Sequence, residues 1–297
     1  MRNTHLFEIG KHCLGFAAIP LLAGCAFLSD LGNDALPTAT LGEPLADKAG
    51  ASDPVAMTDS LPPLAMDRVV PPDAIVKAVE HPDRPDGDRA LDDARKPAGV
   101  MAFAGIAEGQ TILEMAAGDG YFTELLARAV GPRGRVYMQN PPTFEGFVDD
   151  TVSNRLAGRL TNVTVMKTGF DRLPLPERSV DRVTWFQGPD ALWVAPEPSG
   201  EPGDPGAVFG AIYSVLKPGG RFVLLDHRAP SGSPPETAGQ THRLDPATVV
   251  EIAMKAGFVV AGESDLLRSD HDDLALDAFD EQVRGRTDQF LIAFERP

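Results

Sequence analysis

Thr111-Ile112-Leu113-Glu114-Met115-Ala116-Ala117-Gly118-Asp119-Gly120-Tyr121-Phe122-Thr123 decides how this chain folds. It reads as an apolar strand closing on an acid, then a loop of small residues. A helix follows, whose apolar positions Phe122, Leu125, Leu126 and Ala129 fall on one face. A loop without bulky side chains lets a ligand lie against backbone amides at a helix N-terminus. The pattern predicts the first strand, loop and helix of a nucleotide-binding α/β domain. Gly118 and Gly120 supply the permissive backbone, and Ala116 is also small.

Further elements follow in order. Gly131-Pro132-Arg133-Gly134-Arg135 is a turn, and Val136-Tyr137-Met138 a second short strand. Val163-Thr164-Val165-Met166 is a third, and Leu173 to Val183 leads into a fourth. Val215-Leu216-Lys217-Pro218-Gly219-Gly220-Arg221 ends a helix at Pro-Gly-Gly and starts a fifth, running to Asp226. Gln289 to Phe294 reads as the last strand. Tyr213 and Lys217 match a Tyr-x-x-x-Lys pair by spacing, but Lys217 falls in the Pro-Gly-Gly turn rather than on a helix. Tyr213 and Leu216 are expected to face the sheet.

The Glu-x-Ala-x-Gly-x-Gly loop, the strand series and Leu216-Lys-Pro-Gly-Gly220 resemble the class I S-adenosylmethionine-dependent methyltransferases. Arg95-Lys96-Pro97, Phe103-Ala104-Gly105-Ile106, Gln139-Asn140-Pro141-Pro142, Asp226-His227, Thr241 to Asp245 and Arg284 to Asp288 resemble a group of bacterial methyltransferases that carry export signals. The likeness covers roughly residues 70–297, one domain by length. It implies an α/β, Rossmann-like seven-stranded sheet in the order 3-2-1-4-5-7-6. The seventh strand would be antiparallel, with helices on both faces.

It also implies S-adenosyl-L-methionine as cofactor, held by Glu114, Ala116, Gly118, Asp119, Gly120 and Tyr121. Asn140 stands where an acid after the second strand usually binds the ribose. Its amide can donate and accept but carries no charge. Asp171 is the nearest acid to the adenine position, occupied here by Gly169, and Gln187 follows the fourth strand. Ligands of parallel sheets bind at the carboxyl ends of strands. His227, just past the fifth strand, and His242 are therefore the candidate catalytic groups, since a histidine can take a proton near neutral pH. Asp245 before Pro246 reads as a helix N-cap. His81, His227, His242 and His271 are scattered and lack metal-ligand spacing, and no metal is expected. Neither a Gly-x-Ser-x-Gly elbow nor a P-loop lysine occurs.

The N-terminus is a separate signal. Arg2 and Lys11 precede a mostly apolar run, His12 to Gly24. That run is shorter than the roughly 20 residues a membrane span needs. Leu22-Ala23-Gly24-Cys25 reads as a lipobox, with Cys25 the lipidated residue and Ala26 favouring outer-membrane sorting. Residues 1–24 are thus expected to be a lipoprotein signal peptide and 25–66 a Pro/Ala/Asp-rich tether. Residues 67–297 would form the methyltransferase-like domain. Cys13 and Cys25 are the only cysteines, so cleavage and acylation would leave neither a thiol nor a disulfide.

The net charge of −16 repels nucleic acid and anionic headgroups. The expected partner is a small molecule or an exposed protein or lipid acceptor in the cell envelope, with membrane attachment through the lipid alone. The alternatives are a scaffold lipoprotein that keeps the fold without turnover and, less favoured, an NAD(P)-dependent reductase, whose loop fingerprint is missing.

Overall fold

The computed structural model describes residues 70–297, apart from 145, 147 and 194–202. The predicted signal peptide, Cys25 and the tether lie outside the described residues. Seven strands, β1 (Thr111–Met115), β2 (Arg135–Asn140), β3 (Val163–Lys167), β4 (Val180–Phe186), β5 (Leu216–His227), β6 (Val259–Ser264) and β7 (Gln289–Glu295), form one sheet. The order is β3-β2-β1-β4-β5-β7-β6, as expected. Strands β1 to β5 pair in parallel, and β7 runs antiparallel between β5 and β6.

Both faces of the central strands are covered, so their sequences are continuous apolar runs rather than alternations. On one face pack α1 (Asp73–Val79), α4 (Pro97–Phe103) and α5 (Tyr121–Val130), with Ile75, Met101, Leu125 and Leu126 in the core. On the other pack α7 (Pro205–Val215) and α9 (Pro246–Lys255), with Phe209, Ile212, Val249 and Ala253 against Trp185, Phe222 and Phe294. The other α-helices of the described residues are α2 (Asp86–Arg89), α3 (Asp92–Arg95), α6 (Asp149–Leu156) and α8 (Ala238–Thr241), and short 3-10 turns lie at Pro142–Phe144, Pro189–Leu192 and Pro235–Thr237.

Three local departures from the sequence reading have physical causes. Helix α5 is buried on nearly every side, not on one face. Its one acid, Glu124, is satisfied by Arg128 at 2.7 Å, Arg155 at 3.0 Å and Arg159 at 2.6 Å, so it needs no water. The fifth strand begins at Leu216, ahead of the glycines, because Leu216 already pairs with Val180. The ladder then resumes at Arg182 and Arg221, leaving 217–220 as a bulge. Gly220 is needed there: a Cβ would sit 2.7 Å from the Lys217 carbonyl oxygen. Lys217 clips this bulge to Asp181 at 2.7 Å and is not on the helix with Tyr213. Finally, β2 runs through Gln139 and Asn140, which are buried sheet residues rather than loop residues.

Candidate cofactor and acceptor site

The loop after β1 lies where the strand order reverses, between β1 and β4, the position at which open α/β sheets bind ligands. Its backbone is left-handed at Ala116 (φ 48°), Gly118 (φ 60°) and Gly120 (φ 89°). At Gly118 a Cβ would meet nothing within 4 Å, so the chain is open on that side. Gly120, the N-cap of α5, is different. Its Cβ would lie 3.0 Å from Arg155 Cδ and 3.2 Å from Met138 Cε, so this glycine serves packing. Ala116 carries a real strain, since a left-handed L-residue costs about 1–2 kcal/mol. Ala116→Gly is expected to raise stability by about 1 kcal/mol, read as a higher denaturation midpoint. An unchanged or lower midpoint would show that the alanine methyl compensates by packing.

The loop amides do not stand open as the sequence suggested. The Ala116 N–H donates to Gln139 Oε1 at 3.0 Å, Ala117 to the Gln139 carbonyl at 3.0 Å, and Gly118 to Asn140 Oδ1 at 2.8 Å. Gly120 donates to the Ala117 carbonyl and Tyr121 to Asp119 Oδ1. Asn140 closes the pair by donating from Nδ2 to the Gly118 carbonyl at 2.9 Å. The amide expected to meet a ribose is thus occupied with the loop itself. The second-strand residues Gln139 and Asn140 hold the loop's shape.

The other expected contacts divide. Glu114 is buried beneath the loop and accepts from Thr123 Oγ1 at 2.5 Å. Burial pushes its carboxyl up to about 8, against the pull of the Thr123 hydroxyl and Arg155. Tyr121 faces away from the loop: its hydroxyl donates to Asp92 at 2.6 Å and Arg95 stacks on its ring at 4.3 Å. Both residues therefore position the loop from behind. Asp119 and Asp171 are exposed. Two buried polar atoms, Thr168 Oγ1 after β3 and Trp185 Nε1 near the end of β4, have no hydrogen-bond partner in the described structure. These unpartnered polar atoms and the open side of Gly118 suit an uncharged, hydrogen-bonding ligand body such as an adenosine. The Asn140 amide and the loop N–H groups, already bonded within the protein, depart from the expected contacts.

Glu114 also gives a stability prediction. Its carboxyl is near 4.5 unfolded and about 8 folded, so its penalty is absent below pH 4.5 and grows as pH rises toward 8. Glu114→Gln keeps an acceptor for Thr123 and removes the ionisation. Its advantage over the wild type should climb with pH to roughly 3–5 kcal/mol near pH 8, read by urea denaturation. A pH-independent difference would show that Glu114 ionises freely.

Past the carboxyl ends of β4 and β5 the polar residues are linked. Gln187, left-handed at φ 59°, donates to Gln289 Oε1 at 3.2 Å. Gln289 reaches Thr287 Oγ1 at 3.4 Å, which meets His227 Nδ1 at 2.8 Å. His227 is buried, and burial lowers its imidazole to about 4. It is a neutral ring at pH 7. His242 contrasts with it. Its side chain is one-third exposed, its backbone is left-handed at φ 50°, and its Nδ1 lies 2.7 Å from Asp190 Oδ2. That hydrogen bond raises its pKa.

Asp226 beneath them is fully buried and accepts the N–H groups of Asp190 and His227. Burial, with Asp190 nearby, keeps its carboxyl well above the usual range. The exposed Phe279 ring meets His242 edge-on at 4.7 Å and His227 at 6.1 Å. Asp245 caps α9 by accepting from Ala247, as expected. Asp190, Phe279, Thr287 and Gln289 were not singled out from sequence as site residues, although Thr287 lies in the 284–288 stretch. Among the described residues no three or more His, Cys, Asp or Glu groups converge as a metal site would require.

No family model matches the chain. The ubiquinone/menaquinone biosynthesis C-methyltransferase UbiE of Citrobacter koseri is 26% identical over 171 residues, 56% of this chain and 59% of that protein. The UbiE of Saccharophagus degradans is 24% identical over 191 residues, 64% of this chain and 69% of that one. The chain therefore spans less than two thirds of the Citrobacter relative. Among solved structures, geranyl diphosphate C-methyltransferase from Streptomyces coelicolor, in complex with Mg2+, geranyl diphosphate and S-adenosyl-L-homocysteine, superposes with a TM-score of 0.52 at 17% identity. The match covers 74% of this chain and 89% of that one. Sheet order, loop position and this superposition agree: the chain has the class I S-adenosylmethionine-dependent methyltransferase fold.

Proposed function

We propose that this protein is an S-adenosylmethionine-dependent methyltransferase. The observation that carries the reading is the left-handed, unobstructed backbone at Gly118, at the reversal point of a methyltransferase-type sheet. When bound, S-adenosylmethionine supplies an electrophilic methyl group on a sulfonium, transferred by in-line displacement. The chain's own part is then chiefly positioning, which alone lowers such barriers by several kcal/mol. The loop 116–120 holds the cofactor. Gln187 and Gln289 border the acceptor side. Asp190 fixes Nδ1 of His242, leaving Nε2 to take a proton from an O- or N-nucleophile. Of the two candidate histidines this gives the base role to His242, because His227 is buried and its Nδ1 is tied to Thr287.

Calorimetry on the full-length protein tests this directly. S-adenosylhomocysteine should bind with a dissociation constant below a millimolar, and NAD(P)H should not. No heat with S-adenosylhomocysteine even at millimolar concentration would sink the reading.

One observation favours a second reading, a scaffold that keeps the fold without turnover. Five loop amides and the Asn140 side chain are already hydrogen-bonded within the protein. The same calorimetry decides between the two.

The envelope assignment belongs to the same proposal and rests on Leu22-Ala23-Gly24-Cys25. Cys25→Ser should move the protein from the membrane fraction to the soluble fraction or leave it unprocessed. Unlipidated native protein in the cytosol would overturn it. No described helix is long and apolar enough to cross a membrane.

A further inference from the structure

A cavity of about 310 Å³ lies between the α3–α4 junction and the segment leading into β7. Its size suits a small molecule. Thr287 and Gln289 line one side, and these are the residues that tie His227 and Gln187 together at the strand ends. Three permanent cations line it as well: Lys96, Arg268 and Arg286. The one carboxylate in the lining is Asp93.

This concentration runs against a chain whose net charge is −16. Lys96 donates one hydrogen bond, to the Leu266 carbonyl at 2.7 Å, and Arg286 one, to the Gln282 carbonyl at 2.6 Å. Among the described residues no carboxylate forms an ion pair with either. Arg268 is already paired, with Asp288 at 2.8 Å and Asp265 at 3.8 Å, and Asp288 also sits 3.4 Å from Arg228, so Lys96 and Arg286 are the cations left for a ligand. Lys96 is itself held in the left-handed region at φ 43°, immediately before Pro97. The residue before a proline is ordinarily extended, so this conformation is strained.

The geometry points to this cavity as the acceptor subsite, and to an acceptor that carries an oxyanion, a carboxylate or a phosphate. The anion would lie against Lys96 and Arg286, with the reacting end directed to Gln289 and Thr287. Charge-assisted hydrogen bonds of this kind are the strong ones, and they would set orientation as well as affinity. The acceptor role rests on the methyl-transfer reading; the anion site does not.

Ligand-observed NMR on the full-length protein, with phenyl phosphate, benzoate and the neutral benzamide as probes, tests it. At least one of the two anions should bind roughly tenfold more tightly than benzamide, and which one does so tells phosphate from carboxylate. The double variant Lys96→Gln/Arg286→Gln should lose roughly tenfold in anion affinity with benzamide unaffected, while Asp93→Asn should gain about threefold. Thermal unfolding of each variant controls for folding; Arg286→Gln alone, at an exposed position, provides a second measure. Equal binding of benzamide, or unchanged anion binding in both Lys/Arg variants, would overturn the site. Expulsion of the anions by saturating S-adenosylhomocysteine would overturn the acceptor role, because the cavity would then take the cofactor's own carboxylate. Anion binding in a protein that shows no heat with S-adenosylhomocysteine would keep the oxyanion site and refute methyl transfer.

Discussion

Gly118→Leu is expected to weaken S-adenosylhomocysteine binding by about a hundredfold or more while leaving the protein folded. The two halves of that expectation have separate causes. In the free protein the new side chain starts into open space, because a Cβ at this position has no atom within 4 Å. The fold bears only the left-handed strain of φ 60°, about 1–2 kcal/mol. In the complex, an isobutyl group would occupy the space against which the ligand must lie, and excluding it costs far more than the strain. Calorimetry measures the first effect and circular dichroism with thermal unfolding the second. Gly120→Leu makes the contrast: that Cβ would press on Arg155 and Met138, so it should destabilise the domain outright. If Gly118→Leu binds S-adenosylhomocysteine as the wild type does, the ligand does not lie on this loop.

What sequence could and could not show follows from the range of the interactions. The β1–loop–α5 unit and the Asp245 cap are local. A few neighbouring residues determine each, so their chemistry is visible in the string. The sheet order was accessible through the resemblance alone, because parallel pairing leaves no local mark.

The state of the loop was not legible. Whether Asn140 meets a ligand or Gly118 depends on how β2 sits beside β1, and the two residues are 22 positions apart. Tyr121, adjacent to the loop in sequence, turns out to serve α3 through Asp92, 29 positions earlier. The choice between His227 and His242 was not legible for the same reason. Position past a strand end suggested His227, but usefulness as a base depends on exposure and on a carboxylate partner. Asp190 comes to His242 from 52 residues away. Lys96 and Arg286 were both inside quoted stretches, yet only the fold brings them to one cavity.

The His242–Asp190 pair should account for a large share of any rate. His242→Ala is expected to lower methyl transfer by about a hundredfold or more without weakening S-adenosylhomocysteine binding, the scale of acid–base catalysis by one positioned group. The pH dependence separates it from His227 by sign and place. A general base must be neutral, so activity should rise with pH through the pKa of the base in use. If His242 is that base, the limb lies above the ordinary histidine value near 6.5, because its bond to Asp190 favours the charged ring. If His227 were the base, the limb would lie near 4, where burial has placed it.

The same pair has a stability consequence. A raised histidine stabilises the fold fully below its unfolded pKa, and that contribution is lost as pH rises through the folded one. Asp190→Asn should bring the His242 titration down toward 6.5, seen by NMR of the ring protons with no acceptor needed. It should move the activity limb by the same amount. A rate limb that stays in place in Asp190→Asn while the NMR titration shifts would show that His242 shapes the mouth of the site beside Phe279 rather than taking the proton.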